Sequence, residues 1–250
     1  MTDFNEKLTE LKDRISKRAE NIYQNEWAQK IIELDELLSQ RPESRPLIDP
    51  EAITLEINSA LTLPSIHTFS TEAGVKRRRS DEPEPVERIK EGENAASWIL
   101  HNQVPSNSVV VDFMKRVKKE LHTMCESVAT VKMYIQLQVP AVSSGDNFGV
   151  SVQEDIIGEL SRAEESGYGI FDSFTRYLIS RGKLISKVLK YPGVVDYTLA
   201  IREMDEKELF SLWGVVLEIR NNYLILRDLL LKNLDKVKAP RKKFQASQMY

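Results

Sequence analysis

The chain has 250 residues, with 35 Lys+Arg against 38 Asp+Glu, and a formal net charge of −3 argues against wholesale nucleic-acid binding through bulk charge. Hydrophobic residues make up 41% and charged residues 29%, an ordinary soluble balance, and no stretch nears the ~20 apolar residues that a membrane span needs. A single cysteine excludes an internal disulfide or a Cys-rich zinc site, three histidines leave little for metal chemistry, and the charged start offers no apolar core for a secretory leader, so a soluble intracellular protein is expected.

The prolines punctuate the chain, because proline inside a helix loses a hydrogen bond and clashes with the preceding turn. Six of the ten (42, 46, 50, 64, 83 and 85) fall in one early region, and long Pro-free stretches cover 1–41, 106–139, 141–191 and 193–239. Each stretch repeats apolar residues in steps of three and four, the stripe of a bundle helix. The first helix, about 4–41, carries Leu8, Leu11, Ile15 and Ile22, then Trp27, Ile31, Leu34 and Leu38, with a phase shift near Trp27. An irregular insert, 42–105, follows; Asp49-Pro50-Glu51 inside it predicts a short helix with a capping Asp and a first-turn Pro, closed by Pro64.

The second helix, about 106–139, has Val110, Phe113, Val117, Leu121, Met124, Val128, Val131 and Ile135 in register. A connecting loop spans 140–149. The third helix, about 151–190, opens on a capping box, Ser151 to Glu154, and its stripe is weakened by Gly167, Gly169 and Arg181. The fourth, about 196–238, starts with Asp196 as a plausible N-cap and runs regularly from Leu209 to Val237, before a tail at 239–250. A helix of about 30 residues is roughly 45 Å long and must bury its stripe, so an all-α fold, an elongated four-helix bundle, is expected. A long coiled coil is the alternative, disfavoured by the short connections after Pro140 and Pro192.

Two segments lie outside this bundle. Residues 65–104 lack a sustained period, and a connection of that length is usually functional or disordered. It contains Lys76, Arg77, Arg78 and Arg79, which read either as a nuclear-import or nucleic-acid patch or as a solvated run neutralised by Asp81, Glu82, Glu84 and Glu87. Lys236, Lys238, Arg241, Lys242 and Lys243 cluster towards the tail, where cations also suit a helix C-terminus. The final Met249-Tyr250 places an apolar-aromatic pair beside a carboxylate, a compact anchor for carboxylate capture by a partner.

Catalytic patterns are missing: there is no Gly-rich phosphate loop, His-Glu-x-x-His, Cys-x-x-Cys or Gly-x-Ser-x-Gly. Cys125 beside Met124 reads as a buried core residue and His122 as a bundle-flank residue, while His67 and His101 lie in the irregular region. Glu164-Glu165 and Asp205-Glu206 read as solvated helix faces rather than catalytic carboxylate pairs. Nothing assembles a nucleophile, a base and an orienting group, so no enzyme, metal or cofactor is expected.

The connection after the second helix is longer than a turn requires. Gly145 and Gly149 flank Asp146-Asn147-Phe148, and Asp and Asn tolerate unusual backbone geometry, so the loop can present Phe148 in a defined shape; the plainer reading tucks Phe148 onto the bundle end. Here the residues resemble the 11S proteasome activators, most closely the gamma type (REG-gamma), over nearly the whole chain. The resemblance is carried by Thr130-Val-Lys-Met-Tyr-Ile-Gln-Leu137, Gly145-Asp-Asn-Phe-Gly-Val-Ser-Val-Gln-Glu154, Lys190-Tyr-Pro-Gly-Val-Val-Asp-Tyr197, Met204-Asp-Glu-Lys-Glu208, Glu218-Ile-Arg-Asn-Asn-Tyr223 and Leu231-Lys-Asn-Leu-Asp-Lys236.

The resemblance implies a subunit of four long helices that assembles into a seven-membered ring and caps the 20S proteasome without ATP. It implies that the tail, at Met249 and Tyr250, enters pockets between α-ring subunits, and that an activation loop, Gly145, Asp146, Asn147, Phe148 and Gly149, contacts the gate. Lys183 matches a lysine that influences which peptidase activities are stimulated in the gamma type, and Lys76 to Arg79 match its basic import signal, implying a nuclear and also cytoplasmic protein. Peptide or protein substrates would pass through the ring to the proteasome.

The sequence departs from the family in the loop, where Ala141, Ser143, Ser144 and Asp146 replace a Pro-Arg start, acidic residues and an Asn. An aspartate only accepts hydrogen bonds, whereas an asparagine also donates, so docking with altered gate opening is expected. An alternative function is a helical oligomeric scaffold that binds nuclear partners or the proteasome without opening the gate. A nucleic-acid-binding bundle using residues 76–79 and 236–243 would bind with a steep salt dependence, and the overall acidity disfavours it.

Overall fold

The computed structural model describes residues 2–39, 104–143, 145–191 and 193–241. The short helix after Asp49-Pro50, His67, the basic run Lys76 to Arg79, His101 and the tail residues Met249 and Tyr250 lie outside the described residues. The described elements are α1 (Thr2–Asn21), a five-residue π-helical turn (Ile22–Glu26), α2 (Trp27–Ser39), α3 (Ser108–Gln138), α4 (Phe148–Lys190), α5 (Val195–Lys232) and α6 (Leu234–Lys238), with no strand among them. None of these helices is long and apolar enough to cross a membrane.

The chain divides into two compact units. The first takes the N-terminal helices with Met114–Phe174 and the residues from Ser211 onward. Its core is the stripe that the periodicity marks: Val117, Leu121, Met124, Val128, Val131 and Ile135 of α3 are buried, with Ile156 and Leu160 of α4 and Leu212, Val216, Ile219, Tyr223 and Leu226 of α5. Full burial of one such side chain stabilises by about 1.5–3 kcal/mol, so the stripe outweighs the modest helix propensity of its many β-branched residues.

The phase shift near Trp27 is the π turn. Its extra residue advances the helix face so that Tyr23 and Trp27 both enter the core. Trp27 Nε1 donates to Ser127 Oγ at 3.0 Å, and its ring meets that of Tyr223 at 6.0 Å. Arg227 donates from Nε to the Tyr23 carbonyl at 3.1 Å and from Nη2 to the Gln24 carbonyl at 3.4 Å, satisfying oxygens of the distorted turn. The expected stripe is not buried throughout: Leu8 and Leu11 of α1 and Tyr191 after α4 are exposed.

Gly167 weakens α4 as a helix former and has a packing reason for being there. A Cβ at this position would overlap Cys125 Sγ and lie 3.5 Å from Met124 Cε, so its absence lets α3 and α4 approach. Cys125 is buried in that contact, as expected of a structural cysteine. His122 is exposed on the flank.

The second unit takes Thr175–Phe210 with residues up to Phe113, and it corrects two expectations. Asp205 is not on a solvated face but fully buried at 0% exposure. It accepts from Arg181 Nε at 2.9 Å and Nη2 at 3.3 Å, from Tyr177 Oη at 2.8 Å and from Asn107 Nδ2 at 3.2 Å. Arg181, which reads as an interruption of the apolar stripe, is the buried cation of this pair. Ile185, Val188 and Ile201 complete the core of the unit. Glu164, the other supposed surface carboxylate, is part-buried in an ion pair with Lys132.

Two helix boundaries also differ from expectation. α4 begins at Phe148, so Ser151 lies inside its first turn, donating its N–H to the Asn147 carbonyl at 3.0 Å, and the Ser151–Glu154 box caps nothing. The fourth helix breaks at Asn233 (φ −112°, ψ 13°), where the Asn233 side chain donates to the Leu229 carbonyl at 2.8 Å and competes with the backbone ladder. Asp196 falls within the first turn of α5, where an acidic side chain suits the helix dipole.

Two predictions follow from this packing. Gly167→Ala should lower the melting temperature despite better helix propensity, because overpacking costs about 1–3 kcal/mol against about 1 kcal/mol gained, and Cys125→Ala in the same chain should restore most of the loss in thermal unfolding. Burial pushes Glu208 up to about 7, with Lys207 opposing and Asp205 adding to the shift. The folded chain therefore holds a proton that the unfolded chain, at the ordinary carboxylate value of 4.5, has released, and stability falls as pH rises through that window. Glu208→Gln should raise the melting temperature above pH 7 and leave it unchanged near pH 4.5; an equal shift at both pH values would contradict this.

Candidate functional site

The loop between α3 and α4 is built from both ends and from the side. At its start, α3 ends at Gln138, and Val139 N–H closes a tight bond to the Gln136 carbonyl at 3.3 Å. At its end, the Asp146 carboxylate accepts from the Phe148 N–H at 3.0 Å and so satisfies one of the free donors of the first turn of α4. This is why the helix starts three residues earlier than its Ser151 signal: an aspartate at that point both accepts the bond and suits the positive end of the helix dipole.

Asn147 uses both halves of its amide. Its Oδ1 accepts from Arg241 Nη2 at 3.1 Å, and its Nδ2 faces the Ser143 carbonyl at 3.5 Å. Phe148, at 66% exposed, is not tucked onto the bundle end; Lys236 Nζ lies 5.8 Å from its ring centroid. Gly145 and Val142 are exposed, with nothing within 4 Å of a Cβ placed on Gly145. Gly149 is different, since a Cβ there would lie 2.7 Å from the Pro240 Cα and overlap the Pro240 carbonyl oxygen.

The C-terminal segment reaches this loop through α6. Val237 is fully buried, Lys238 Nζ pairs with Glu20 Oε1 at 2.8 Å, and Arg241 Nη1 donates to the Ala141 carbonyl at 2.8 Å. An open recess of about 560 Å³ lies here, edged by Gln138, Pro140, Lys236, Lys238, Pro240 and Arg241. Of the expected site residues, Asn147, Phe148 and Gly149 meet the segment 236–241, whereas Asp146 bonds to Phe148 and Gly145 stands clear. Lys183 does not join them; it is an exposed residue of α4 in the second compact unit.

The contacts of Gln153 and Arg241 escape a reading of the sequence, which places Arg241 only in a basic cluster. Gln153 is fully buried on α4, and its Nε2 donates to the carbonyls of Val237 at 2.9 Å and Gln138 at 3.4 Å. The one signal was an amide on the stripe side of the first turn, three residues before Ile156. Among the described residues no group of His, Cys, Asp or Glu is placed to hold a metal ion.

Comparison with known proteins accounts for this arrangement. The sequence family described as proteasome activator PA28, C-terminal, matches residues 103–247, and its N-terminal counterpart matches residues 2–42. The human and chicken proteins named proteasome activator complex subunit 3 are each 35% identical, over 94% of this chain and 92% of their own. The 11S subunit of the Plasmodium falciparum proteasome, PA28, superimposes with a TM-score of 0.77 at 28% identity, covering 97% of this chain and 96% of that one. The PA26 activator solved with an archaeal 20S proteasome shares the fold at a TM-score of 0.61 and 13% identity, covering 96% of this chain and 98% of that one. These relatives are activators rather than enzymes, and the chain belongs to the PA28 proteasome activator family, of the REG-gamma-like kind.

Proposed function

We propose that this chain is an ATP-independent activator of the 20S proteasome, which docks through its C-terminal tail and opens the gate with the loop Gly145 to Gly149. The observation that carries the reading is the bonding of Arg241, where the described chain meets the tail, to both Ala141 and Asn147 of the loop. One element is suited to docking and the other to pushing, and they share a root. Related activators solved in complex with a 20S proteasome support the same partner.

The active form is a homo-oligomer, a heptameric ring. Phe4, Leu8 and Leu11 of α1 and Leu224 and Ile225 of α5 leave large apolar surface in water within one subunit, which a second copy would cover. A ring also supplies the affinity. A single tail ending in Met249-Tyr250 binds weakly, whereas linked tails gain about 10²–10⁴ through effective concentration. The gate opens to the extent that the loops bind its open form better than its closed form. Lys183 tunes which peptidase activity responds, peptide or protein substrates pass through the ring, and the basic run Lys76 to Arg79 directs the protein to the nucleus, with a cytoplasmic pool.

Mixing the purified protein with latent 20S proteasome should raise fluorogenic-peptide hydrolysis, and deleting Tyr250 should abolish the rise. Binding without stimulation would favour a scaffold, and absence of binding would refute the activator reading. Asp146 separates structure from gating. Asp146→Ala should cost about 1 kcal/mol of cap stability, about 2–4 °C in melting temperature, whereas Asp146→Asn retains an acceptor and should leave it unchanged. If the missing donor limits the gate, Asp146→Asn should raise maximal stimulation without changing docking; an unchanged maximum would show that the carboxylate is no handicap.

A further inference from the structure

Three separate contacts tie the last described turn of the chain, 237–241, to both ends of the loop. Gln153 spans two helix ends: Gln138 and Val237 carry carbonyls from the last turns of α3 and α6, which have no partner within their own helices. One buried amide group donates to both, at 3.4 and 2.9 Å. Arg241 bridges the loop itself, donating to Ala141 before its apex and to Asn147 after it. Gly149 lets the Pro240 backbone lie directly against the first turn of α4.

We propose that Arg241 and Gln153 are positioning residues that fix the gate-contacting loop to the root of the docking tail, so that seating the tail sets the loop's height and angle. The inference rests on the activator reading and deepens it. The chemistry suits the task. A guanidinium holds two acceptors in a fixed fork, which a single ammonium cannot. The amide of Gln153 is fully buried, so losing it strands two carbonyls away from water. Val142 and Gly145, outside the clamp, are exposed, which leaves them available to a partner. Asn147 passes the restraint on, since the oxygen that accepts from Arg241 belongs to the amide whose nitrogen faces the Ser143 carbonyl.

The experiment uses the full chain with Arg241→Ala, Arg241→Lys and Gln153→Met, and three readouts: backbone amide exchange over 141–149, docking to latent 20S proteasome, and stimulation at saturating activator. For Arg241→Ala, which removes both charge-assisted bonds to the loop, loop exchange should rise about tenfold or more, while α3 core amides keep their rates. Docking should change less than about threefold, and saturating stimulation should fall about fivefold or more, because tail affinity and loop geometry are separate contributions. Arg241→Lys should fall between, and Asn147→Ala added to Arg241→Ala should change loop exchange little further, since the pair acts as one restraint. Gln153→Met should move loop and tail-root exchange together. Unchanged loop exchange in Arg241→Ala overturns the proposal, as does stimulation that recovers fully at saturation. If the unmodified chain fails to stimulate, the activator reading fails, while the exchange data alone still decide whether the clamp exists.

Discussion

The missing side chain of Gly149 is the constraint on which the end of the protein that carries the loop between α3 and α4 depends. The first turn of α4 and the backbone at Pro240 occupy space that a single methyl group would fill. With that approach allowed, Gln153 can reach the free carbonyls at the ends of α3 and α6, and Arg241 can fork across the loop. Each of these bonds satisfies a helix-end or loop group that would otherwise need water. The loop therefore owes its shape to polar groups at three helix ends and to little apolar burial of its own. Such a loop can be well defined and still leave Phe148 and Val142 open to a partner.

The two compact units solve different problems. In the first, the helical segments bury an almost wholly apolar stripe; Trp27 Nε1 is paired with Ser127 there, while the buried Gln153 Oε1 has no hydrogen-bond partner among the described residues. The second places a carboxylate at full burial and surrounds it with Arg181, Tyr177 and Asn107. A buried ion pair contributes little net stability against an apolar alternative, but removing either partner leaves an uncompensated charge and is strongly destabilising. Its geometric demands are strict, so the network fixes the register of α4 against α5 in a way that interchangeable aliphatic contacts do not. Glu208, one turn from Asp205, carries part of the cost, since burial holds its proton to about 7.

An activator of this kind performs no bond chemistry, which accounts for the absence of any catalytic pattern in the sequence. What it supplies is binding energy and geometry. In the mechanism proposed above, tails would dock additively across copies, whereas gate opening would require that the loops favour one conformation of the partner over another. Under that proposal, a shared root would let the first set up the second with few moving parts. A flexible connection between tail and loop would dissipate that energy in chain entropy.

The amino-acid sequence by itself determined the all-α class, the helical stripes and the position of the loop, because proline placement and apolar periodicity act locally and repeat over many residues. It also carried the family, through a run of matching blocks in one order from Thr130 to Lys236. The phase shift at Trp27 was visible, but only the packing of Tyr23 and Trp27 against Tyr134, Ser127 and Tyr223 made it a π turn. Asp205 looks like a surface charge and Arg181 like a break in the stripe because each is judged among its neighbours in sequence, while their partner is 24 residues away. The early start of α4 depended on Asp146 taking the Phe148 N–H before Ser151 could act as a cap. The clamp at Arg241 and Gln153 was decided by tertiary structure alone, for it joins groups up to 100 residues apart, and hydrogen bonds of that range leave no periodic trace along the chain.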